Sequence, residues 1–287
     1  MSNRIDVLKT YKTYVGGAFP RSESGHTYAL ENKSGKTIAN VCRCTRKDAR
    51  DAMVKARAAQ KGWQNRSAYN RGQILYRIAE MLEGRKDQFV HEMELMDIKK
   101  KTALKEVELS IDRLIYYAGW TDKISQVYGT VNPVASSHFN FSMPEPTGVV
   151  GVIAPQQSPM LGLVSMMAPV IAGGNTVLIL ASENYPLSGV SFGEVLHASD
   201  VPGGVVNILT GYQNEMISHL SAHLDLNGVF NANKDADLRK QIDENCALSV
   251  KRSRHVMNVD WTDPTHENPY YIMDFQEIKT TWHPVGV

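Results

Sequence analysis

From Gly148 onward the chain obeys one pattern that leaves few folds open: short, almost wholly apolar runs alternate with segments of helical period. The runs are Gly148 to Ala154, Thr176 to Ala181, Val205 to Leu209, Gly228 to Asn231 and His255 to Val259. The helical patterns between them lie near Leu161 to Ala172, Leu187 to Ala198, Asn214 to Ala222 and Asp235 to Cys246. A strand that is apolar throughout must be covered on both faces, and consecutive parallel strands need a crossover helix. The expected class is therefore α/β, a Rossmann-like, doubly wound parallel sheet.

The first half reads differently. Tyr11 to Cys44 is rich in Gly, Ser, Asn and Thr with β-like runs at Thr13 to Phe19 and Thr37 to Cys42, which predicts a flap of edge strands. Thr45-Arg-Lys-Asp48 has the form of a capping box with Asp as its acid, opening a helix on Ala49, Ala52, Met53, Ala56 and Ala59. Two N-terminal helices follow, one striped by Ile74, Leu75, Ile78 and Leu82, the other by Leu104, Val107, Ile111, Leu114, Ile115 and Ala118.

Helical period is lost between Tyr128 and Pro146, where Ser136 to Ser142 alternates as an exposed strand or arm. Beyond Trp261 a Pro-, Asn-, His- and Tyr-rich connector leads to an alternating segment, Phe275 to Pro284, that reads as a terminal strand without a sheet of its own. The expected divisions are 1–127 (flap strands and helices), 128–147 (arm), 148–260 (Rossmann-like unit) and 261–287 (connector and terminal strand).

Composition narrows the function classes. The 31 Lys and Arg against 30 Asp and Glu give no basic excess for nucleic acid or an anionic membrane surface. The longest apolar stretch, Met160 to Gly174, is shorter than the ~20 residues of a membrane span. The first residues lack the apolar run of a secretory leader, and three cysteines argue against a disulfide framework, so a cytoplasmic setting is expected. Cys42, Cys44 and Cys246 read as structural thiols. His219 and His223 share a helix face, and two imidazoles alone are a weak zinc signal, so packing is the better reading. No Gly-x-Gly-x-x-Gly after a strand, no P-loop and no Cys-x-x-Cys pair is present.

Three stretches carry a resemblance. Pro144-Glu-Pro-Thr-Gly-Val-Val-Gly-Val-Ile-Ala-Pro155, Met167-Ala-Pro-Val-Ile-Ala-Gly-Gly-Asn-Thr176 and Pro202-Gly-Gly-Val-Val-Asn-Ile-Leu-Thr-Gly211 closely resemble the aldehyde dehydrogenase superfamily. Tyr14-Val-Gly-Gly17, Arg71 to Glu80, Tyr116 to Trp120 and Ile278-Lys-Thr-Thr-Trp282 add to it. The resemblance implies a dinucleotide-type domain binding NAD or NADP, together with a small β-flap of N-terminal, arm and C-terminal strands that pairs subunits.

It does not imply intact chemistry. Gln157 stands where the family has its oxyanion Asn, and no match exists to the catalytic Cys or to the Glu-Leu-Gly-Gly segment, so no residue here is expected to be catalytic. By resemblance the vestigial cofactor positions are Ile153, Ala154, Pro155, Glu183, Gly204 and Phe230, with Leu180 replacing the family's Lys. Asn231-Ala232-Asn233-Lys234-Asp235 replaces the family's Thr-Gly-Ser turn and puts Asp235 where a helix N-terminus would attract phosphate, so cofactor binding is expected to be weak or lost.

The tail follows Cys246 too closely for a whole catalytic domain. The expected protein is a pseudoenzyme, similar to the second, non-catalytic domain of double-domain (family sixteen) aldehyde dehydrogenases. It would assemble with itself or with a full-length NAD(P)-dependent aldehyde dehydrogenase. The alternatives are a short NAD(P)-dependent aldehyde oxidoreductase with an atypical nucleophile such as Cys246, and a dinucleotide-binding sensor without turnover.

Overall fold

The computed structural model describes residues 7–286. Three short strands open the chain, β1 (Thr10–Tyr11), β2 (Thr27–Glu31) and β3 (Thr37–Cys42). Five helices follow: α1 (Arg46–Gln64), α2 (Ala68–Glu83), α3 (Lys86–Leu95), α4 (Lys100–Trp120) and α5 (Ile124–Tyr128). The arm contributes β4 (Thr130–Asn132) and β5 (His138–Pro146).

The alternating half then runs β6 (Val149–Ile153), α6 (Leu161–Ala172), β7 (Thr176–Leu180), α7 (Pro186–His197), β8 (Val206–Leu209) and α8 (Gln213–Ser221). It continues as β9 (Gly228–Asn231), α9 (Ala236–Ala247) and β10 (Arg252–His255), before α10 (Tyr270–Met273) and β11 (Gln276–Pro284) close the chain.

The five strands β10-β9-β6-β7-β8 form one parallel sheet. Because strand side chains alternate, each strand serves two cores. Val149, Ile153, Leu178, Leu180, Leu209 and Val229 pack with Ala52, Met53 and Ala56 of α1, Ile217 and Leu220 of α8, and Ile242 of α9. Their neighbours Val150, Val152, Val177, Ile179, Ile208 and Phe230 face the other way, into the core built with α2, α4, α6 and α7. That second core extends from Tyr11 to Phe275, so the N-terminal helices, the sheet and the tail share it.

Local signals that are short in sequence appear as expected. The Thr45 hydroxyl accepts from Lys47 N while Asp48 accepts from Thr45 N at 2.7 Å, completing the capping box of α1. The helix is then docked by buried polar contacts: Thr176 N donates to Gln60 Oε1 at 2.9 Å, and Trp63 Nε1 to Ile171 O at 3.0 Å.

Four expectations need correction. The last parallel strand is Arg252–His255 rather than His255 to Val259. It is a polar edge strand whose Arg252 and Arg254 pair with Glu277 and Asp274, so the apolar run is not its signature. The terminal strand does have a sheet: β11 pairs antiparallel with β5 from Gln276↔Pro146 to Pro284↔His138. The flap is not one structure, since β1-β3-β2 and β11-β5-β4 are separate three-stranded sheets. Finally, Thr13 to Phe19 covers a sheet edge: Tyr14 exchanges backbone hydrogen bonds with Ile208 of β8. Gly16 and Gly17 turn this run at positive φ, and a Cβ on Gly17 would lie 2.9 Å from Gly203 Cα.

No helix among the described residues is long and apolar enough to cross a membrane. A buried carboxylate caps one of the core helices. Glu106 of α4 accepts from Met160 N and Leu161 N at 3.3 and 3.4 Å, where α6 begins, and burial pushes its carboxyl up to about 7. The folded state thus holds this proton more tightly than the unfolded chain. The contribution is full below the ordinary value of 4.5 and is lost as pH rises to about 7. The loss at neutral pH amounts to about 3 kcal/mol. Urea unfolding at pH 4.5 and 7.5 is expected to show Glu106→Gln gaining stability relative to wild type as pH rises; parallel curves would refute this.

Candidate functional site

A doubly wound sheet has one natural crevice, at the carboxyl ends of the strands where the winding direction reverses. Here β6 leads outward through β7 to β8, while β9 and β10 lie on its other side, so the reversal falls between β6 and β9. A cleft of about 230 Å³ opens there. Its walls come from the segment after β6 (Pro155, Gln157), the segment after β9 (Asn233, Lys234) and the segment after β10 (Asn258, Trp261).

Polar side chains in and beside this cleft bond to one another, although the buried Gln156 Nε2 has no partner among the described residues. Gln213, almost fully buried at the start of α8, donates through Nε2 to Ala154 O at 2.8 Å and to Ala181 O at 3.3 Å. It thereby ties the residues just past the ends of β6 and β7. Its Oε1 accepts from Asn233 Nδ2 at 2.8 Å, and its backbone N–H donates to the Glu183 carboxylate at 2.8 Å. Gln156 does the same for the next turn, its Oε1 accepting from Ser182 Oγ, Glu183 N and Asn184 N at 3.1, 3.1 and 3.3 Å.

On the other side of the cleft, the turn before α9 uses up its own donors. Asn231 Oδ1 accepts from Asn233 N at 2.9 Å, and Asn233 Oδ1 from Asp235 N at 2.8 Å. Asp235 then caps α9, accepting from Asp237 N and Leu238 N at 2.9 and 3.0 Å. A helix N-terminus attracts phosphate through free N–H groups and a positive dipole end. Here a carboxylate holds two of those donors, and Asp237 adds a second negative charge in the first turn.

Of the positions anticipated from sequence, Pro155 and Gln157 line the cleft, with Gln157 exposed at its rim. Glu183 joins the Gln213 network, and Ala154 enters it through its carbonyl. Ile153 and Leu180 are buried in the core on the α1, α8 and α9 side. Gly204 precedes β8, at the amino end of the sheet, with φ 95° in a turn where a Cβ would lie 2.5 Å from Lys55 O. Phe230 faces the opposite core, its ring 5.5 Å from both Tyr271 and Phe275.

Gln213, Gln156 and Asn233 were not singled out from sequence. Glutamine and asparagine carry no periodic signal, and the cue available was position, just after a strand and before a helix.

The thiols stand apart from this site. Cys42, Cys44 and Cys246 are all free and buried, and burial pushes the Cys246 thiol up to about 11, where no thiolate forms at neutral pH. Among the described residues no group of three His, Cys, Asp or Glu side chains is placed to hold a metal ion.

A profile of the aldehyde dehydrogenase family matches residues 19–253. The chain belongs to that family. Among its relatives, 2-hydroxymuconic semialdehyde dehydrogenase of Pseudomonas sp. is 34% identical over 230 residues, covering 77% of this chain and 47% of that protein. Omega-crystallin of Enteroctopus dofleini is 31% identical over 233 residues, covering 79% and 46%. The chain thus spans about half the length of the curated relatives it matches. The NAD+ complex of an aldehyde dehydrogenase from Bacillus cereus superposes with a TM-score of 0.81 at 25% identity, covering 86% of this chain and 51% of that one.

An aldehyde dehydrogenase-type crevice implies a dinucleotide, and the groups present do not fit its pyrophosphate. The cleft is smaller than the ~300 Å³ at which pockets for organic ligands begin. Two donors of the α9 first turn are taken by a carboxylate, and Gln213 bridges the ends of β6 and β7.

If these side chains hold the strand ends in place, removing them costs stability. Gln213→Ala strands two carbonyls and is expected to destabilise by about 1–3 kcal/mol. Asp235→Ala removes a helix cap, for about 1 kcal/mol. Urea unfolding midpoints measure both, and a Gln213→Ala midpoint equal to wild type would contradict the role given to this network.

Proposed function

We propose that this chain is a non-catalytic aldehyde dehydrogenase-like protein that acts by assembly rather than by turnover. The observation that carries the reading is the crevice itself, where Gln213, Gln156 and Asp235 take the hydrogen-bonding groups a dinucleotide would need. The burial of every thiol, with none beside the cleft, supports the absence of an acyl-enzyme step. Gln157 at the rim, in place of the shorter Asn, supports it further, because an oxyanion donor must be held within a fraction of an ångström.

The assembling surface in this reading is the β11-β5-β4 sheet. Both β11 and β4 are edge strands, and unpaired edges invite another chain. The sheet exposes apolar side chains on both faces: Val131 and Phe139 on one, Ile278 and Trp282 on the other, each about half exposed or more. The partner is a second copy or a full-length NAD(P)-dependent aldehyde dehydrogenase, bound by strand pairing and burial of these residues.

Two measurements test the reading. Calorimetry and thermal denaturation with millimolar NAD+ or NADP+ are expected to show neither heat nor stabilisation; a rise in Tm implying a Kd well below 1 mM would overturn the closed crevice. Native mass spectrometry of the protein, alone and co-expressed with full-length aldehyde dehydrogenases, is expected to show an oligomer that Trp282→Lys weakens. A monomer in every combination would sink the assembly.

A further inference from the structure

A second cleft, of about 390 Å³, lies between the start of α1 and the end of α8, away from the strand ends. Five basic side chains line it: Arg46, Lys47 and Arg50 from α1, His219 from α8, and His223 from the segment just after α8. Among the described residues no carboxylate contributes to its wall. Its floor is apolar, made by Ala49, Met53 and Leu220, all buried.

The neighbouring acids neutralise only part of this charge. Asp48 closes the capping box and accepts from Ser22 and Glu23 N, and Glu215 pairs with Arg43. Glu23 and Asp51 pair with Lys47 and Arg50, while Arg46 and His219 make no hydrogen bond or ion pair among the described residues. His223 accepts from Asp225 N through Nδ1, which leaves its Nε2 without a partner among the described residues. The two imidazoles do not share a helix face as the spacing predicts, because α8 ends at Ser221 and His223 lies in the segment after it; both nonetheless line the cleft beside the basic side chains of α1.

Arg46, His219 and His223 thus keep donors without a carboxylate partner around a concave wall, where a bound anion can accept from them. The 390 Å³ is larger than a bare phosphate requires and falls in the range of small-ligand pockets. We propose that this cleft binds a small phosphorylated metabolite. Its phosphate is held by Arg46, His219 and their basic neighbours, and its apolar body lies against Ala222, above the buried Met53 and Leu220. Arginine fits the role because its planar fork matches phosphate oxygens and stays charged at any physiological pH. The site is independent of the strand-end crevice and of the proposed assembly surface.

The test uses the intact protein with histidines isotopically labelled, inorganic phosphate and phenyl phosphate as probes, and benzyl alcohol as the uncharged control. Saturable shifts of the His219 and His223 ring signals are expected with both anions, tighter for phenyl phosphate, and absent with benzyl alcohol. The double variant Arg46→Ala, His219→Ala is expected to weaken phenyl phosphate binding at least tenfold, since it removes two charge-assisted contacts to the phosphate. Both positions are exposed, so its melting curve should match wild type. Ala222→Ser, at the exposed apolar lining residue, separately tests the apolar wall, with a weaker phenyl preference expected while phosphate still binds.

Ring signals unmoved by either anion up to about 10 mM, weaker than any useful site, would overturn the proposal, as would unchanged affinity in the double variant. Equal affinity for phosphate and phenyl phosphate would overturn the apolar half of the site.

Discussion

The division of each central strand between two cores is the constraint on which the rest of this structure depends. In β6 and β7, odd and even positions are apolar alike, so neither face tolerates water and neither can be left without helices. A one-residue slip would exchange the two sets and mismatch them with covers of different shape, Ala-lined α1 on one side and the wholly buried α6 on the other. Register, helix placement and the reversal between β6 and β9 all follow from that requirement. The crevice is a consequence of the reversal and not a separately specified feature.

What occupies the crevice is decided by polar satisfaction. Carbonyls just past the ends of β6 and β7 have exhausted their strand partners and need donors. In this chain they receive them from Gln213, whose own oxygen is satisfied by Asn233, which in turn holds the turn leading to Asp235. Each link leaves fewer free groups for a ligand. The same economy governs the start of α6, where Glu106 supplies the acceptor for two N–H groups, and its burial, outweighing those two bonds, keeps it protonated until near neutral pH.

Legibility in the sequence followed the range of the interaction. The capping box at Thr45 spans three residues and is observed as read. The helices from α6 to α9 lie within a residue or so of their expected limits, because helical period and apolar runs are local. The strand β10 was misplaced because an edge strand needs no apolar run: its Arg252 and Arg254 face carboxylates of the tail. Likewise β11 alternated visibly, yet nothing near it indicated that β5, more than a hundred residues earlier, would pair with it along its whole length. The crevice was legible in part. Asp235 stood out as a charge at a helix start, whereas Gln213 has meaning only once Ala154 and Ala181 lie beside it.

By itself the sequence determined the layered α/β architecture, the capped α1 and the family to which the chain belongs, since each rests on periodicity or on contiguous motifs. Tertiary structure alone decided that the N-terminal and C-terminal strands form two sheets, that Tyr14 seals the β8 edge, and that Gly204 and Phe230 lie away from the crevice. It also decided that His219 and His223 meet the basic side of α1. The physical reason is common to all of these. They depend on groups distant in the chain meeting in space, and neither a residue's identity nor its local pattern carries the position of its partner.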